Sequence, residues 1–213
     1  MRESELRESI VRFGRLLREA GLAPGSSGNI SVRLEDDSLL VTPTNACMGA
    51  LDPADIAKLD RNGTHLAGHK PSKEAPLHDA VYRTRGGVGA IVHTHSTHAV
   101  SWAIRDDVDP EDVLPPITAY YLMRVGSLPL VPYYPPGDPG LVEAIADYAI
   151  KSPAMLLANH GPILAAKDLD AAVYGMEELE ETAKLAHMLD GRPMRTLTPE
   201  QIGALRERFG GSQ

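Results

Sequence analysis

The sequence predicts one α/β domain in which a mixed β-sheet lies between helices. Three observations lead there. Amphipathic helical stripes alternate with short apolar runs, as helices packed on a sheet require. Several of those runs lie close enough in sequence to form hairpins, so the sheet includes antiparallel neighbours. Neither a GxGxxG segment nor a P-loop motif is present, which argues against a doubly wound nucleotide fold. No repeat, heptad or linker divides the 213 residues, and residues 1–213 read as a single domain.

In chain order, Leu6, Ile10, Phe13, Leu17 and Ala20 mark an amphipathic helix that stops at Gly21. Pro24 to Asn29 is a loop of small residues. Ile30 to Leu34 alternates like a half-buried strand, and Glu35-Asp36-Asp37 turns it into a second strand at Leu39 to Val41. Asp52 to Ile56 reads as a short helix start. Leu59 to Gly68 reads as another hairpin, turning at Asn62-Gly63. Ser72 precedes a helical stripe of Leu77, Ala80, Val81 and Thr84. Proline is tolerated only in a first turn, so Pro76 makes this helix begin near residues 73–75 and puts Glu74 at its start. Gly86-Gly87 ends it, and a buried strand, Val88 to Val92, leads into His93-Thr94-His95.

The proline-rich residues 110–140 read as irregular, with one strand near Leu128 to Pro132. Leu141 to Ile150 is helical. Ala154 to Ala158 and Pro162 to Ala166 are short apolar strands joined by Asn159-His160-Gly161. Leu169, Ala172, Val173, Met176, Leu179, Ala183 and Ala186 share one face of a long helix from about Asp168 to Leu189. Thr198-Pro199-Glu200-Gln201 is a capping box with proline at the first helical position, and it opens a last helix through Phe209.

The net charge of −8 leaves no basic footprint for nucleic acid, although a local pocket can still oppose it and take an anionic small substrate. The charged start of the chain, Arg2 to Glu8, resembles no signal peptide, and no apolar run approaches the roughly 18 residues of a membrane span. A cytoplasmic protein with no membrane partner is the expectation. The one cysteine, Cys47, excludes an intrachain disulfide and a CxxC zinc site, and reads as a small packed residue more than a reactive thiol.

The chemistry gathers at the histidines. Side chains two apart on a strand point the same way, so His93 and His95 can offer two imidazoles to one metal ion; the plainer reading is two polar residues at a strand end. His160 sits in the turn between two strands, as a third ligand or a turn histidine. Glu74 is a fourth ligand, a base beside the metal, or a helix-cap carboxylate. Three histidines with an open position form a catalytic zinc arrangement. The loops Ser26-Ser27-Gly28-Asn29, Thr42-Pro43-Thr44-Asn45 and Lys70-Pro71-Ser72-Lys73 carry N–H groups, hydroxyls and lysines without carboxylates, which suits an anion such as phosphate. His78, one turn after Glu74, either supports the site from behind or packs on its helix. The acidic run Glu177 to Glu181 reads as a solvated helix face.

These segments resemble the class II aldolase/adducin family. Gly28-Asn29-Ile30-Ser31-Val32-Arg33, Val41-Thr42-Pro43-Thr44, Lys70-Pro71-Ser72-Lys73-Glu74, His93-Thr94-His95 and Ala158-Asn159-His160-Gly161 occur in the family's order, over roughly residues 5–190. The resemblance implies a three-layer α/β/α domain with a mixed, largely antiparallel central sheet, and a homotetramer with sites at subunit interfaces. It implies one Zn2+, or another divalent metal, per subunit, held by His93, His95 and His160, with Glu74 as catalytic acid/base. It puts Asn29 against the substrate's oxygens and phosphate, with Ser26, Gly28, Thr44, Asn45, Ser72 and Lys73 as neighbours, and brings Tyr121 or Tyr120 from an adjoining subunit.

Two positions depart from many of the family's aldolases: Asn45 stands for a glycine and Lys73 for a second serine. Lys73-Glu74-Ala75-Pro76-Leu77-His78, Leu114 to Tyr121, Pro129 to Tyr134, Pro136-Gly137-Asp138 and Glu177 to Ala183 are similar to the subgroup of 3-oxo-tetronate 4-phosphate decarboxylases. The activity so implied is zinc-dependent loss of CO2 from a phosphorylated sugar acid, giving dihydroxyacetone phosphate through an enediolate. The alternatives are a fuculose-phosphate-like aldolase, a ribulose-5-phosphate 4-epimerase, or a non-catalytic adducin-like module.

Overall fold

Alternation along the strands decides the architecture of the computed structural model, which describes residues 2–135 and 137–209. Pro136, within one of the decarboxylase-like segments, lies outside them, as do Met1 and residues 210–213. On β1 (Asn29–Arg33), Ile30 and Val32 are buried in one hydrophobic layer, while Asn29, Ser31 and Arg33 point the other way. On β5 (Ala90–His93), Ala90 and Val92 join the first layer and Ile91 joins a second. β7 (Ala154–Leu157) and β8 (Gly161–Ala166) divide in the same way: Ala154, Leu156 and Leu164 on one face, Met155, Leu157, Ile163 and Ala165 on the other.

With β2 (Leu39–Val41), β3 (Ala57–Leu59), β4 (His65–Ala67) and β6 (Leu130–Val131), these strands form an eight-stranded sheet in the order β4-β3-β2-β1-β5-β8-β7-β6. Every neighbouring pair is antiparallel except β6 with β7, which is parallel. One face is covered by α1 (Glu3–Glu19), α3 (Thr97–Ala103), α4 (Ala119–Arg124) and the long α6 (Leu169–Met188). The other is covered by α2 (Ala75–Thr84) and α5 (Pro139–Lys151). This is the three-layer α/β/α domain with a mixed, largely antiparallel sheet that the family resemblance implies. α7 (Pro199–Phe209) follows the predicted capping box: Thr198 N–H donates to Gln201 and Gln201 N–H returns to the Thr198 hydroxyl, at 2.9 and 3.3 Å.

Three expectations need correction. Asp52 to Ile56 is a turn, not a helix start, because the Arg7 guanidinium takes the Pro53 and Ile56 carbonyls at 3.1 and 2.6 Å and the chain passes directly into β3. Residues 110–140 hold α4 as well as the expected strand; Thr118 caps it by accepting from Tyr121 N–H. Glu180 is not merely solvated. Its carboxylate takes the His98 and Ala99 backbone N–H groups, both at 2.9 Å, and caps the unanticipated α3 from the middle of α6.

The β7–β8 turn presses on the histidine loop. A Cβ on Gly161 would collide with the Thr94 carbonyl oxygen and reach within 3.4 Å of the His95 Cα. Gly161→Ala should therefore lower unfolding free energy by about 2 kcal/mol or more in urea titration, the usual scale of a strain or overpacking lesion.

Candidate metal centre

β5 ends at His93, so His95 belongs to the loop beyond it and not to the strand face; the two rings meet nonetheless. His93 Nε2 is 3.1 Å from His95 Nε2 and 3.3 Å from His160 Nε2, and the three ring centroids lie 4.7–5.0 Å apart. Ligand nitrogens about 2.0–2.1 Å from one tetrahedral ion stand roughly 3.3–3.4 Å from each other, so this spacing fits a single divalent metal. Among the described residues, His93, His95 and His160 are the group of potential ligands close enough to share an ion.

The backbone explains the convergence. Asn159 adopts a left-handed conformation (φ 58°), which asparagine tolerates, and the tight turn carries His160 back toward β5. His93 Nδ1 lies 2.8 Å from the Pro162 carbonyl. A carbonyl only accepts, so Nδ1 holds the proton and Nε2 is left with its lone pair turned to its neighbours. Burial lowers the pKa of His93 to about 3 and that of His95 in the same direction, which keeps both imidazoles neutral, as metal ligands must be.

Glu74 is the residue before α2, and its carboxylate lies against the cluster: Oε1 is 3.2 Å from His160 Nε2 and Oε2 is 3.5 Å from His93 Nε2. Asn29 Nδ2 donates to Oε2 at 2.6 Å. Burial pushes the Glu74 carboxyl up, but the adjacent His93 and His160 rings and the hydrogen bond from Asn29 outweigh it and hold the group well below the usual carboxylate range. About a quarter of the side chain stays exposed, so protons can reach it from solvent.

The small polar loops close around this centre unequally. The 42–45 and 70–72 segments run side by side: Thr44 N–H donates to the Lys70 carbonyl and Ser72 N–H to that of Thr42, each at 3.0 Å. Ser72 Oγ accepts from Glu74 N–H at 3.2 Å, tying this loop to the carboxylate. Gly28 has φ 77°, and a Cβ there would lie 2.8 Å from the His93 carbonyl oxygen, so only glycine lets the loop approach the histidine strand so closely. Asn45 is also left-handed (φ 57°), a conformation that asparagine and glycine both tolerate, so it can stand where the family resemblance implies a glycine. Ser26 and Lys73 are exposed at the rim.

The two tyrosines part. Tyr121 is fully buried in its own chain's core, so it is not available to a neighbouring subunit, and that expectation is withdrawn for it. Tyr120 is 60% exposed. Sequence reasoning alone misses Ser31 and Tyr82, which are hydrogen-bonded behind Glu74. Their signal is the polar alternation of Asn29, Ser31 and Arg33 on an otherwise apolar strand.

The family described as Class II Aldolase and Adducin N-terminal domain matches residues 8–187. The 3-oxo-tetronate 4-phosphate decarboxylase of Escherichia coli K12 is 45% identical over 204 residues, which cover 96% of each chain. The L-fuculose phosphate aldolase of Haemophilus influenzae is 32% identical over 214 residues, 98% of this chain and 95% of that one. The crystal structure of YgbL from Escherichia coli superposes with a TM-score of 0.94 at 44% identity, covering 96% of this chain and 99% of that one.

Reconstitution with a divalent metal followed by elemental analysis should give about one ion per chain. His93→Asn and His160→Ala should each bring that figure to background, since two imidazoles hold such an ion far more weakly than three.

Proposed function

The chain belongs to the class II aldolase and adducin family, and from that premise we propose that it decarboxylates a 3-oxo-tetronate 4-phosphate to dihydroxyacetone phosphate and CO2. The observation that carries this reading is the 45% identity to curated decarboxylases of that substrate across 96% of both chains. The chain is a lyase, and its family is one of metal-dependent carbon–carbon bond cleavage.

We assign His93, His95 and His160 as the ligands of one divalent ion, zinc by the all-imidazole donor set. The substrate is a β-keto acid, so breaking its C1–C2 bond leaves an electron pair on C2 conjugated with the C3 carbonyl. When bound, the ion supplies the Lewis acidity that stabilises that developing charge. Glu74 is the group through which a proton reaches C2. Its carboxylate stands beside the ligands, is steadied by Asn29, and keeps a path to solvent. Asn29, Gly28, Thr44, Asn45 and Ser72 line the approach with N–H groups, amides and hydroxyls for the substrate's phosphate, and Ser26 and Lys73 stand at its rim. In a homotetramer with sites between subunits, Tyr120 is the tyrosine that a neighbour can use. No described helix is long and apolar enough to cross a membrane, and a cytoplasmic sugar-acid pathway suits such an enzyme.

The second reading is aldol cleavage of a sugar phosphate, favoured by the 32% identity to an L-fuculose phosphate aldolase. Both reactions create the same enediolate and differ in what departs, CO2 or an aldehyde.

Incubation with 3-oxo-tetronate 4-phosphate, coupled to reduction of dihydroxyacetone phosphate, should show stoichiometric product and CO2. Glu74→Gln should lower kcat by about 100- to 10,000-fold, the range for loss of a proton-transfer group, with metal content unchanged. A metal-loaded wild-type protein that yields no triose phosphate here but cleaves fuculose phosphate is an aldolase instead.

A further inference from the structure

Behind Glu74 the facing sides of β1 and α2 keep meeting through polar groups. β1 offers Asn29, Ser31 and Arg33, two residues apart; α2 and its first turn offer Glu74, His78 and Tyr82, four apart. Two strand residues advance roughly 6.6 Å and four helical residues about 6 Å, so the two rows stay in step. Asn29 bonds Glu74. Ser31 Oγ lies 2.7 Å from His78 Nδ1 and 2.9 Å from the Tyr82 hydroxyl. The Arg33 guanidinium donates to the Tyr82 carbonyl at 3.2 Å and lies 4.9 Å from the centroid of the Tyr82 ring. Ser31 and His78 are wholly buried, and Tyr82 nearly so.

Burial raises the Tyr82 phenol above its ordinary range and lowers the His78 imidazole to about 4, so one keeps its proton and the other stays neutral. If Tyr82 donates to Ser31, and Ser31 donates to His78 Nδ1, each hydroxyl proton is used once. The imidazole proton then sits on Nε2, which is buried without a hydrogen-bond partner among the described residues; with the proton on Nδ1 instead, His78 donates to Ser31 and the row runs the other way. Apolar neighbours such as Leu77 and Val81 hold α2 against the sheet, but burial is non-directional and does not fix a register. Hydrogen bonds with a set length and angle do. Sliding α2 by a single residue would separate all three pairs together.

We propose that Ser31, His78 and Tyr82 are positioning residues for Glu74, their buried hydrogen-bonded row locking α2 in the one register that sets the carboxylate beside the three histidines. The proposal rests on the reading of Glu74 as the proton-transferring group.

The test is a double-mutant cycle in the metal-loaded enzyme. Ser31→Ala should lower kcat by about 10- to 100-fold with KM nearly unchanged, the scale of a small misplacement of a reacting group. Metal content should stay at the wild-type level. In a Glu74→Gln background the same substitution should cost nothing further, because no carboxylate is left to position. His78→Asn, which keeps an acceptor close to the Nδ1 position, should recover most of the kcat lost in His78→Leu. An unchanged kcat in Ser31→Ala, or an equal loss with and without Glu74, overturns the proposal. Should Ser31→Ala not fold, Tyr82→Phe removes only the outer hydroxyl and carries the same cycle: a loss confined to the Glu74 background supports the proposal, and no loss or an equal loss overturns it. The underlying reading fails separately. A wild-type enzyme that releases no CO2 but cleaves a sugar phosphate leaves the seam to be tested on aldol cleavage, where Glu74→Gln as active as wild type would remove the premise.

Discussion

The site depends on one register, Asn29 opposite His93 across β1 and β5. That pairing brings the first residue of β1 beside the last residue of the histidine strand. Asn29 then reaches across to Glu74 on the helix packed over the same face. A slip of one residue would turn Asn29 into the apolar layer beneath and bring Ile30 to the carboxylate, because strand side chains alternate. The apolar alternation of Ile30, Val32, Ala90 and Val92 makes such a slip costly, so the core protects the geometry of the site. Gly28 and Gly161 let the flanking loops come close enough for the arrangement to close.

The local electrostatics follow from this packing. An ionised carboxylate three-quarters removed from water is expensive unless its lone pairs are occupied. Asn29 occupies one side, and His160 and His93 approach the other. The imidazoles in turn are aimed by backbone: the Pro162 carbonyl fixes the His93 tautomer and the left-handed Asn159 fixes the His160 turn. The imidazole nitrogens and the carboxylate thus face one point, where a divalent cation would be held.

Much of this is legible in the sequence, for physical reasons that differ by element. The strands and long helices follow from periodicity, and Pro76 alone places Glu74 at a helix start. The histidine cluster follows from motif order. α3 and α4 escape because each is short and stabilised from outside its own stretch or by a single cap: Glu180 lies about 80 residues beyond the helix it caps. Tyr121 and Tyr120 are adjacent and chemically identical; only packing distinguishes the one that is sealed in the core. The seam behind Glu74 requires knowing that β1 lies under α2, which neither element's pattern states alone.

That division bears on how one scaffold serves two reactions. The candidate metal ligands and Glu74 are fixed by β5, the β7–β8 turn and the start of α2, which are held by buried or partly buried bonds. In the proposed reaction the departing group, CO2 or an aldehyde, lies at the end of the substrate away from its phosphate. The departures from the aldolase pattern that the family resemblance implies, Asn45 and Lys73, fall in two loops, one paired to its neighbour through backbone bonds and the other leading directly into Glu74. Loops of this kind change composition at little cost to the core, whereas a change in β5 or the seam would disturb the carboxylate and the imidazoles together. In the proposed reaction the chemistry common to both cleavages therefore rests on the sheet and the start of α2, the parts that tolerate change least.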